Sequence, residues 1–137
     1  MPARPQPRFP ESNSEPFWEG AKARELRYQQ CNDCNAIIFY PRIMCTNCGS
    51  RNFTWRTSKG EGTVYTWSVI RQTRNPRFVE IAPYAIAYID LDEGFRIMST
   101  IVGVENPITD IDCGQRVRLE WEEQDTGEYP IPVFRPI

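Results

Sequence analysis

The chain lacks histidine altogether. Histidine is the commonest general base in enzymes and the commonest metal ligand, so acid–base chemistry here would have to use carboxylates, lysines or tyrosines. The sequence also contains no nucleophile elbow, no phosphate-binding glycine loop and no motif for an open metal site. These absences argue against an enzyme that acts alone, and they favour an accessory protein whose partner supplies the reacting groups.

A basic excess and long apolar runs are missing too. The net charge is −2 and the pI is about 5.2, which argues against strong binding to a phosphate backbone. No apolar run approaches the roughly 18 residues that a membrane helix needs. The N-terminal MPARPQPRFPESNS is rich in proline and has no apolar centre of the secretory type. We therefore expect a folded cytoplasmic protein with no membrane partner.

What the chain does have is four closely spaced cysteines, in the stretch CNDCNAIIFYPRIMCTNC at 31–48. Two Cys-x-x-Cys pairs present two sulfurs each to one ion while the segment between them folds back as a hairpin. The ligands are therefore predicted to be Cys31, Cys34, Cys45 and Cys48. Zinc is the expected ion, one per chain, and iron fits the same four-sulfur geometry. A disulfide or a thioredoxin-like redox pair suits this spacing less well.

Four protein ligands close the coordination sphere, so the metal has no position left for activating water and is predicted to be structural. Gly49 follows the second pair and suits a turn with positive φ. Cys113, between Asp112 and Gly114, has no histidine to activate it. We interpret Cys113 as a small turn or core residue.

The rest of the chain divides into three parts. Residues 1–27 are predicted to be an extended arm followed by a short helix, residues 28–58 a zinc ribbon, and residues 59–137 a barrel. In EPFWEGAKAREL, Pro16 suits a first helical turn, and Phe17, Trp18, Ala21 and Leu26 give an apolar stripe. That stripe either packs on the body of the same protein, or Phe17 and Trp18 dock into a partner.

After the cysteines the apolar residues alternate with period two. The runs are TVYTWSVI at 63–70, YAIAYIDL at 84–91, FRIMSTIVGV at 95–104, RVRLEW at 116–121 and YPIPVF at 129–134. Pro130 and Pro132 confine the last run to a sheet edge. Five short strands with glycine-containing turns predict a mainly β protein whose C-terminal part is a five-stranded OB-fold barrel.

Two sets of side chains suggest binding. In RQTRNPRF at 71–78, Arg71, Arg74 and Arg77 recur on a loop, where they suit the phosphates of coenzyme A, an acidic patch on a partner, or plain solvent. Tyr65, Trp67, Tyr88 and Trp121 are either stacking platforms or barrel core. If these aromatic residues are stacking platforms, the chain would be a zinc-ribbon and OB-fold module that binds single-stranded nucleic acid. This is the second hypothesis for its function. The acidic run DLDEG at 90–94 is interpreted as a strand end and turn.

The order of these features resembles a known family. PFWEG, ELRYQQC, CNDCNAIIFYPRIMCTNCGS, GEGTVYTWSVI, APYAIAYIDLDEGFRIMSTIVG, DCGQRVRLEW and PVFRP follow one another as in the family long catalogued as domain of unknown function 35. The resemblance covers nearly all of the chain beyond the first dozen residues. It implies an N-terminal helix, a rubredoxin-like zinc ribbon and a C-terminal OB fold. Asn35 stands where that family usually has glycine, and asparagine tolerates the left-handed conformation.

The resemblance also implies a role. Members of this family are similar to accessory subunits or domains of thiolase-superfamily enzymes that act on acyl-CoA thioesters. In actinobacterial steroid degradation such a domain accompanies a lipid-transfer-protein-like retro-aldolase, which shortens the side chain of a steroid CoA ester. The expected partner is therefore such an aldolase subunit, in a hetero-oligomer built around a partner dimer. The arm, Phe17 and Trp18, and the tail PIPVFRPI are the segments expected at that contact.

Overall fold

The structure of the protein is a computed structural model that describes residues 4–9, 13–125 and 129–137. Helix α1 spans Glu15–Lys22, with proline in its first turn as expected. Its buried face carries Phe17 and Ala21. Leu26 lies beyond the end of the helix, yet its side chain is fully buried. The apolar stripe thus continues past the helix into the chain that enters the first strand.

The first sheet has three antiparallel strands. Strands β1 (Arg27–Cys31), β2 (Ile37–Ile38) and β3 (Phe53–Thr57) are arranged in the order β2-β1-β3. β1 and β2 form a short hairpin with Gln30 opposite Ile37, and its turn carries the first cysteine pair. The segment between the two pairs was predicted to fold back as a hairpin of its own, but it contributes only β2. The last residue of β1 is Cys31, so the central strand of this sheet delivers the first sulfur directly to the metal site.

The second sheet has five strands, as the alternating pattern predicted. These are β4 (Glu61–Ile70), β5 (Tyr84–Leu91), β6 (Arg96–Ser99), β7 (Arg116–Glu122) and β8 (Ile131–Pro136). Their order is β6-β5-β4-β7-β8. A parallel bridge between Ile101 and Phe134 joins the two ends, and the N–H of Val102 donates to the carbonyl oxygen of Phe134 at 2.8 Å. This closure makes the sheet a small barrel of OB topology.

The observed strands differ from the predicted ones mainly on the third run. The strand expected over 95–104 ends at Ser99, where the hydroxyl of Thr100 donates to the carbonyl oxygen of Ala85 at 2.6 Å. Beyond this bond the chain turns toward β8 and makes only the isolated bridge. β8 occupies a sheet edge, as its prolines predicted, and the predicted turn at 125–127 lies partly outside the described residues.

One core joins the helix, the first sheet and the barrel. Phe17, Leu26 and Tyr28 belong to the same buried cluster as the barrel residues. The ring of Phe95, at the β5–β6 turn, lies 4.9 Å from Tyr28 and 4.8 Å from Phe39, measured between centroids. The predicted boundaries at 27/28 and 58/59 lie within two residues of the ends of the first sheet and the start of the second. That they separate domains stays a prediction. Among the described residues no helix is long and apolar enough to cross a membrane.

Candidate metal centre and apolar cavity

The four predicted cysteines meet at one point. Their sulfur atoms all lie within 4.8 Å of one another, with Cys31 to Cys48 and Cys34 to Cys45 each at 3.6 Å. A tetrahedral zinc with bonds of about 2.3 Å separates its sulfurs by about 3.8 Å. The spacing therefore fits an ion that four sulfurs coordinate tetrahedrally. That ligand set leaves no open coordination position for a catalytic water.

Two residues with positive φ shape the turns around this site. Asn35 has φ 63° and Gly49 has φ 77°, so both expectations from the sequence are confirmed. The N–H of Asn35 donates to the carbonyl oxygen of Cys31 at 3.0 Å, and the N–H of Gly49 donates to that of Cys45 at 2.9 Å. These two similar turns bring the sulfurs of each pair to the same side of the backbone.

The protein environment shifts the pKa values of two of the cysteines in opposite directions. The side-chain amide of Asn47 donates to the sulfur of Cys34 at 3.4 Å and, with the backbone N–H of Ala36, lowers the pKa of Cys34 to about 6. The pKa of Cys48 is raised to about 12. The backbone N–H of Ser50 lowers this pKa, but the neighbouring sulfurs of Cys31 and Cys34 together raise it by more. Four thiolates at this spacing repel one another, so a divalent cation is what stabilises them together.

Gln29 is a structural contributor that the sequence did not reveal. It is 1% exposed, in the middle of β1. Its amide donates to the carbonyl oxygen of Arg42 at 2.9 Å and accepts from the N–H of Arg42 at 2.9 Å. Gln29 thereby fixes the loop that connects the two cysteine pairs. A glutamine next to another polar residue in a short strand resembles a surface residue, so the local pattern carries no signal for this role.

A cavity of about 670 Å³ lies where the arm, α1, the ribbon loop and the barrel meet. Its wall is largely aromatic and aliphatic, and includes Trp18, Tyr40, Phe78, Tyr84, Ile97 and Val133. Asn13 also lines it, and the buried Oδ1 of Asn13 has no hydrogen-bond partner among the residues that the structure describes. The cavity thus combines an apolar wall with at least one unused polar atom.

Arg4 ties the N-terminal arm across one side of this cavity. Its side chain is 7% exposed and pairs with Glu122 at 2.9 Å. Its guanidinium lies over the ring of Phe78, 4.9 Å from the centroid, and donates to the carbonyl oxygen of Arg77. Its backbone N–H donates to Oε1 of Gln124 at 2.7 Å. The sequence indicated an extended arm, and the partners of Arg4 could not be inferred because they lie far along the chain.

The predicted arginine loop is where we expected it, between β4 and β5. Arg71 and Arg74 line a second concavity of about 570 Å³, together with Val79 and Ala82. Neither guanidinium makes an ion pair within the described ranges 4–9, 13–125 and 129–137. Arg77 does not line this concavity. The three arginines therefore do not all line one concavity, and their role in binding stays a prediction.

Phe17 and Trp18 pack within the chain. Phe17 is 9% exposed, and its ring lies 5.1 Å from Trp18 and 5.9 Å from Phe39. Trp18 is half-buried and contacts Tyr129 at 5.7 Å. The structure therefore favours the intramolecular alternative, and both side chains also form part of the cavity wall.

Most of the other candidate residues contact neighbouring side chains, and the rest are exposed. Tyr65 and Tyr88 are exposed, but the guanidinium of Arg96 covers the Tyr65 ring at 3.6 Å, while Trp67 and Trp121 pack against the core. Asp90 pairs with Arg96 at 2.6 Å and Asp92 with Arg116 at 2.7 Å, in line with a strand end and turn. Cys113 is exposed in a turn.

A four-sulfur ribbon packed on a five-stranded barrel defines the class of zinc-ribbon and OB-fold proteins. Two family models match in turn: the rubredoxin-like zinc ribbon domain of ChsH2 over residues 18–54, and the C-terminal OB-fold domain of ChsH2 over residues 55–122. The chain therefore belongs to the ChsH2 family of zinc-ribbon and OB-fold proteins, and the resemblance drawn from its motifs is confirmed.

Some curated relatives are named as subunits of acyl-CoA enzymes, and others, from archaea such as Methanocaldococcus jannaschii (38% identical over 114 residues, covering 79% of each chain), as scaffold proteins with a domain of unknown function 35. The chain is 38% identical over 136 residues to a probable enoyl-CoA hydratase alpha subunit of Thermomonospora curvata, covering 97% of this chain and 40% of that protein. It is 30% identical over 89 residues to the 3-oxo-4,17-pregnadiene-20-carboxyl-CoA hydratase alpha subunit of Mycobacterium tuberculosis, covering 65% and 28%. The chain thus spans well under half the length of these two subunits.

A solved structure named as the Ltp2-ChsH2(DUF35) aldolase is similar over nearly the whole chain. The TM-score is 0.84 at 34% identity, and the match covers 96% of this chain and 98% of that one. A likeness at this level extends to the ribbon, the barrel and their relative placement.

Proposed function

We propose that this chain is an accessory subunit or domain of a thiolase-superfamily enzyme that acts on acyl-CoA thioesters. The observation that carries the proposal is the likeness, along nearly the full chain, to a chain of the structure named as the Ltp2-ChsH2(DUF35) aldolase. The particular reaction we propose is retro-aldol cleavage of a steroid side-chain CoA ester by a lipid-transfer-protein-like partner. The steroid hydratase subunit among the relatives supports that substrate class.

In this role Cys31, Cys34, Cys45 and Cys48 hold one structural zinc ion. The near-tetrahedral spacing of their sulfurs supports this assignment. When bound, the ion supplies charge compensation and cross-linking. The residues of the chain do the rest: Asn47 donates to two of the sulfurs, and Gln29 holds the connecting loop.

The reacting groups come from the partner in this proposal. Asp90 and Asp92 form the most acidic cluster of the sequence, and each is engaged by an arginine. Both carboxylates hold the turn together, and the hydrogen bond from Arg116 lowers the pKa of Asp92, which makes Asp92 a poor proton acceptor. We assign no catalytic residue to the chain, and we place it in the cytoplasm with such a partner.

The hypothesis that the chain binds single-stranded nucleic acid receives less support than the accessory role. One of its proposed platforms, Tyr65, already stacks on Arg96, and the two tryptophans pack against the core. The net charge of −2 does not favour a polyanion. Binding of an unstructured oligonucleotide at low salt, lost as salt rises, would revive this hypothesis.

The test is purification of the tagged chain from its native host, with mass spectrometry of the co-purifying proteins and a zinc assay on the same sample. We expect a stoichiometric thiolase-family protein and one zinc per chain. Cys45→Ser should lose both, whereas Cys113→Ser, which changes an exposed cysteine outside the ribbon, should lose neither. Recovery of the wild-type chain alone, or with nucleic acid, would contradict the accessory role.

A further inference from the structure

We propose that the outer edge of β3 is an interaction surface, where an acidic extended segment of another protein adds to the first sheet as a fourth strand. Strand addition to an open sheet edge is a common way in which proteins bind peptides. The inference goes beyond the proposed function and does not depend on it. No residue of β3 lines either the apolar cavity or the concavity of the β4–β5 loop.

One side of β3 is open, because the strand order β2-β1-β3 places it at an edge. Two hydrogen bonds show which backbone groups face that side. The N–H of Ser58 donates to the carbonyl oxygen of Leu26 at 2.8 Å. The N–H of Asn32 donates to the carbonyl oxygen of Asn52 at 2.9 Å. Since bonded pairs alternate in an antiparallel ladder, the even-numbered residues of β3 bond to β1 and the odd-numbered residues point their backbone groups outward.

The outward-pointing residues are Phe53, Trp55 and Thr57. Within the described part of the chain, their N–H groups and carbonyl oxygens make no hydrogen bond to a further strand, loop or side chain. A row of unpaired donors and acceptors along an edge is a template on which another extended chain can pair. The edge of β3 therefore offers three N–H groups and three carbonyl oxygens to an added strand.

The corresponding edges of the barrel are already used. On β6 the N–H of Met98 donates to the hydroxyl oxygen of Tyr40 at 2.9 Å. Just beyond β6 the carbonyl oxygen of Thr100 accepts from the N–H of Phe134 at 3.0 Å, and the N–H of Val102 donates to the carbonyl oxygen of Phe134 at 2.8 Å. These bonds protect the barrel from strand addition, and the edge of β3 has no comparable cover in the described residues.

The two faces of β3 specify the pattern of the added strand. Phe53 and Trp55 lie on one face, both half-buried, with ring centroids 6.3 Å apart. Thr54 and Arg56 lie on the other face and are exposed. Aromatic rings pair well with β-branched side chains on a neighbouring strand, and opposite charges stabilise a cross-strand pair. The segment that fits therefore alternates apolar with acidic residues.

Charge favours an acidic segment over a second copy of this chain. Arg51 and Arg56 are exposed, and neither makes an ion pair with a described residue. Lys59, just beyond the strand, is exposed as well. If the whole of β3 paired antiparallel with β3 of a second copy, Arg51 of each copy would lie opposite Lys59 of the other. Like charges placed opposite each other destabilise a sheet, whereas carboxylates on a foreign strand are attracted.

The experiment is titration of the zinc-loaded full chain with a peptide of about nine residues that alternates glutamate and valine, followed by amide hydrogen exchange in NMR. In the free chain we expect the N–H groups of Phe53, Trp55 and Thr57 to exchange faster than those of Thr54 and Arg56. The peptide should slow the first three at least about ten-fold and change the other two less. A lysine–valine peptide, and the acidic peptide with N-methylated amides, should each bind at least about ten-fold more weakly.

Variants of the chain separate the backbone from the charges. Thr57→Pro removes one outward N–H without removing a bond to β1 and should weaken the acidic peptide about ten-fold, whereas Thr57→Ala keeps that N–H and should not. Arg51→Glu with Arg56→Glu should reverse the preference, so that the lysine peptide binds more tightly. Lys22→Glu with Arg118→Glu is the matched control, because it makes the same change in net charge at two exposed residues outside the ribbon. It should keep the preference for the acidic peptide.

Equal affinity for the acidic and the lysine peptide, no binding of the acidic peptide at about 1 mM, or protection that spares the outward N–H groups would each overturn the inference. Protection of those groups by self-association at rising chain concentration would assign the edge to a second copy and overturn it too. If Thr57→Pro unfolds by circular dichroism, the peptides on the wild-type chain still decide the matter. Co-purification of an acyl-CoA enzyme tests the proposed function separately, since it can fail while the peptide binds and succeed while the peptide does not.

Discussion

Replacing Phe95 by alanine tests whether the ribbon and the barrel stabilise each other. Phe95 lies at the β5–β6 turn with 6% of its surface exposed, and its ring contacts two rings from the ribbon side, Tyr28 at 4.9 Å and Phe39 at 4.8 Å. Through these contacts the three-stranded sheet, whose folding depends on the metal, can increase the stability of the barrel, which binds no metal. The substitution removes both at once.

The expected loss follows from the chemistry of the site. Removing a buried phenylalanine side chain costs about 3–5 kcal/mol. Each aromatic pair contributes about 0.5–1.5 kcal/mol beyond the burial of its area, so the two pairs account for about 1–3 kcal/mol of that loss. For a chain of this size the whole effect lowers the melting temperature by roughly 10–20 °C.

The assay is urea unfolding of the zinc-loaded chain, with Tyr88→Ala as control, because Tyr88 is an aromatic residue of the neighbouring strand that is 44% exposed. The control should cost less than about 1 kcal/mol. A double-mutant cycle of Phe95→Ala with Tyr28→Leu should give a coupling energy of about 0.5–1.5 kcal/mol. A loss no larger than that of the control, or a coupling of zero, would refute the argument that the two sheets share one core.

Three further outcomes follow from single side chains. Gln29→Leu leaves the N–H and carbonyl of Arg42 without partners and should cost about 2 kcal/mol, while a chelator should strip zinc from it faster than from wild type. Gly62→Ala places a methyl group 2.6 Å from the carbonyl oxygen of Asp90 and should cost about 1–3 kcal/mol in urea unfolding. Arg116 lowers the pKa of Asp92 through a hydrogen bond, so stability from this pair is present at neutral pH and lost as the pH falls below about 4. The melting temperatures of wild type and Asp92→Asn should therefore converge in acid, and a gap that stays constant from pH 7 to pH 2 would contradict the assignment.

The parts of the structure that the sequence predicted are those with a short-range signature. The spacing of Cys31, Cys34, Cys45 and Cys48 predicted the ribbon because two cysteines with two residues between them are well placed to bind the same ion. Period-two alternation located all five barrel strands because each has one face in the core. Pro132 identified an edge strand because proline has no backbone N–H to donate to a neighbouring strand.

The parts that it did not predict depend on contacts between distant residues. Arg4 is held by Glu122 and Gln124, and no local pattern links residues so far apart. The third barrel strand ends early because Thr100 bonds Ala85 on the neighbouring strand. The cavity itself is formed by pieces of the arm, the helix, the ribbon loop and the barrel, so it exists only after all four have packed.

A short series of contacts connects the metal site to that cavity. A structural metal can therefore affect the shape of the cavity. Gln29 lies two residues before Cys31 on β1, and its amide holds both backbone groups of Arg42. Arg42 and its neighbours Tyr40 and Pro41 are part of the cavity wall, and the hydroxyl oxygen of Tyr40 accepts from the N–H of Met98 on β6 at 2.9 Å. Loss of the metal releases the ends of this loop, and with them one wall of the cavity. A closed zinc site without catalytic chemistry can thus still determine the shape of the cavity, since it sets the position of one of the cavity walls.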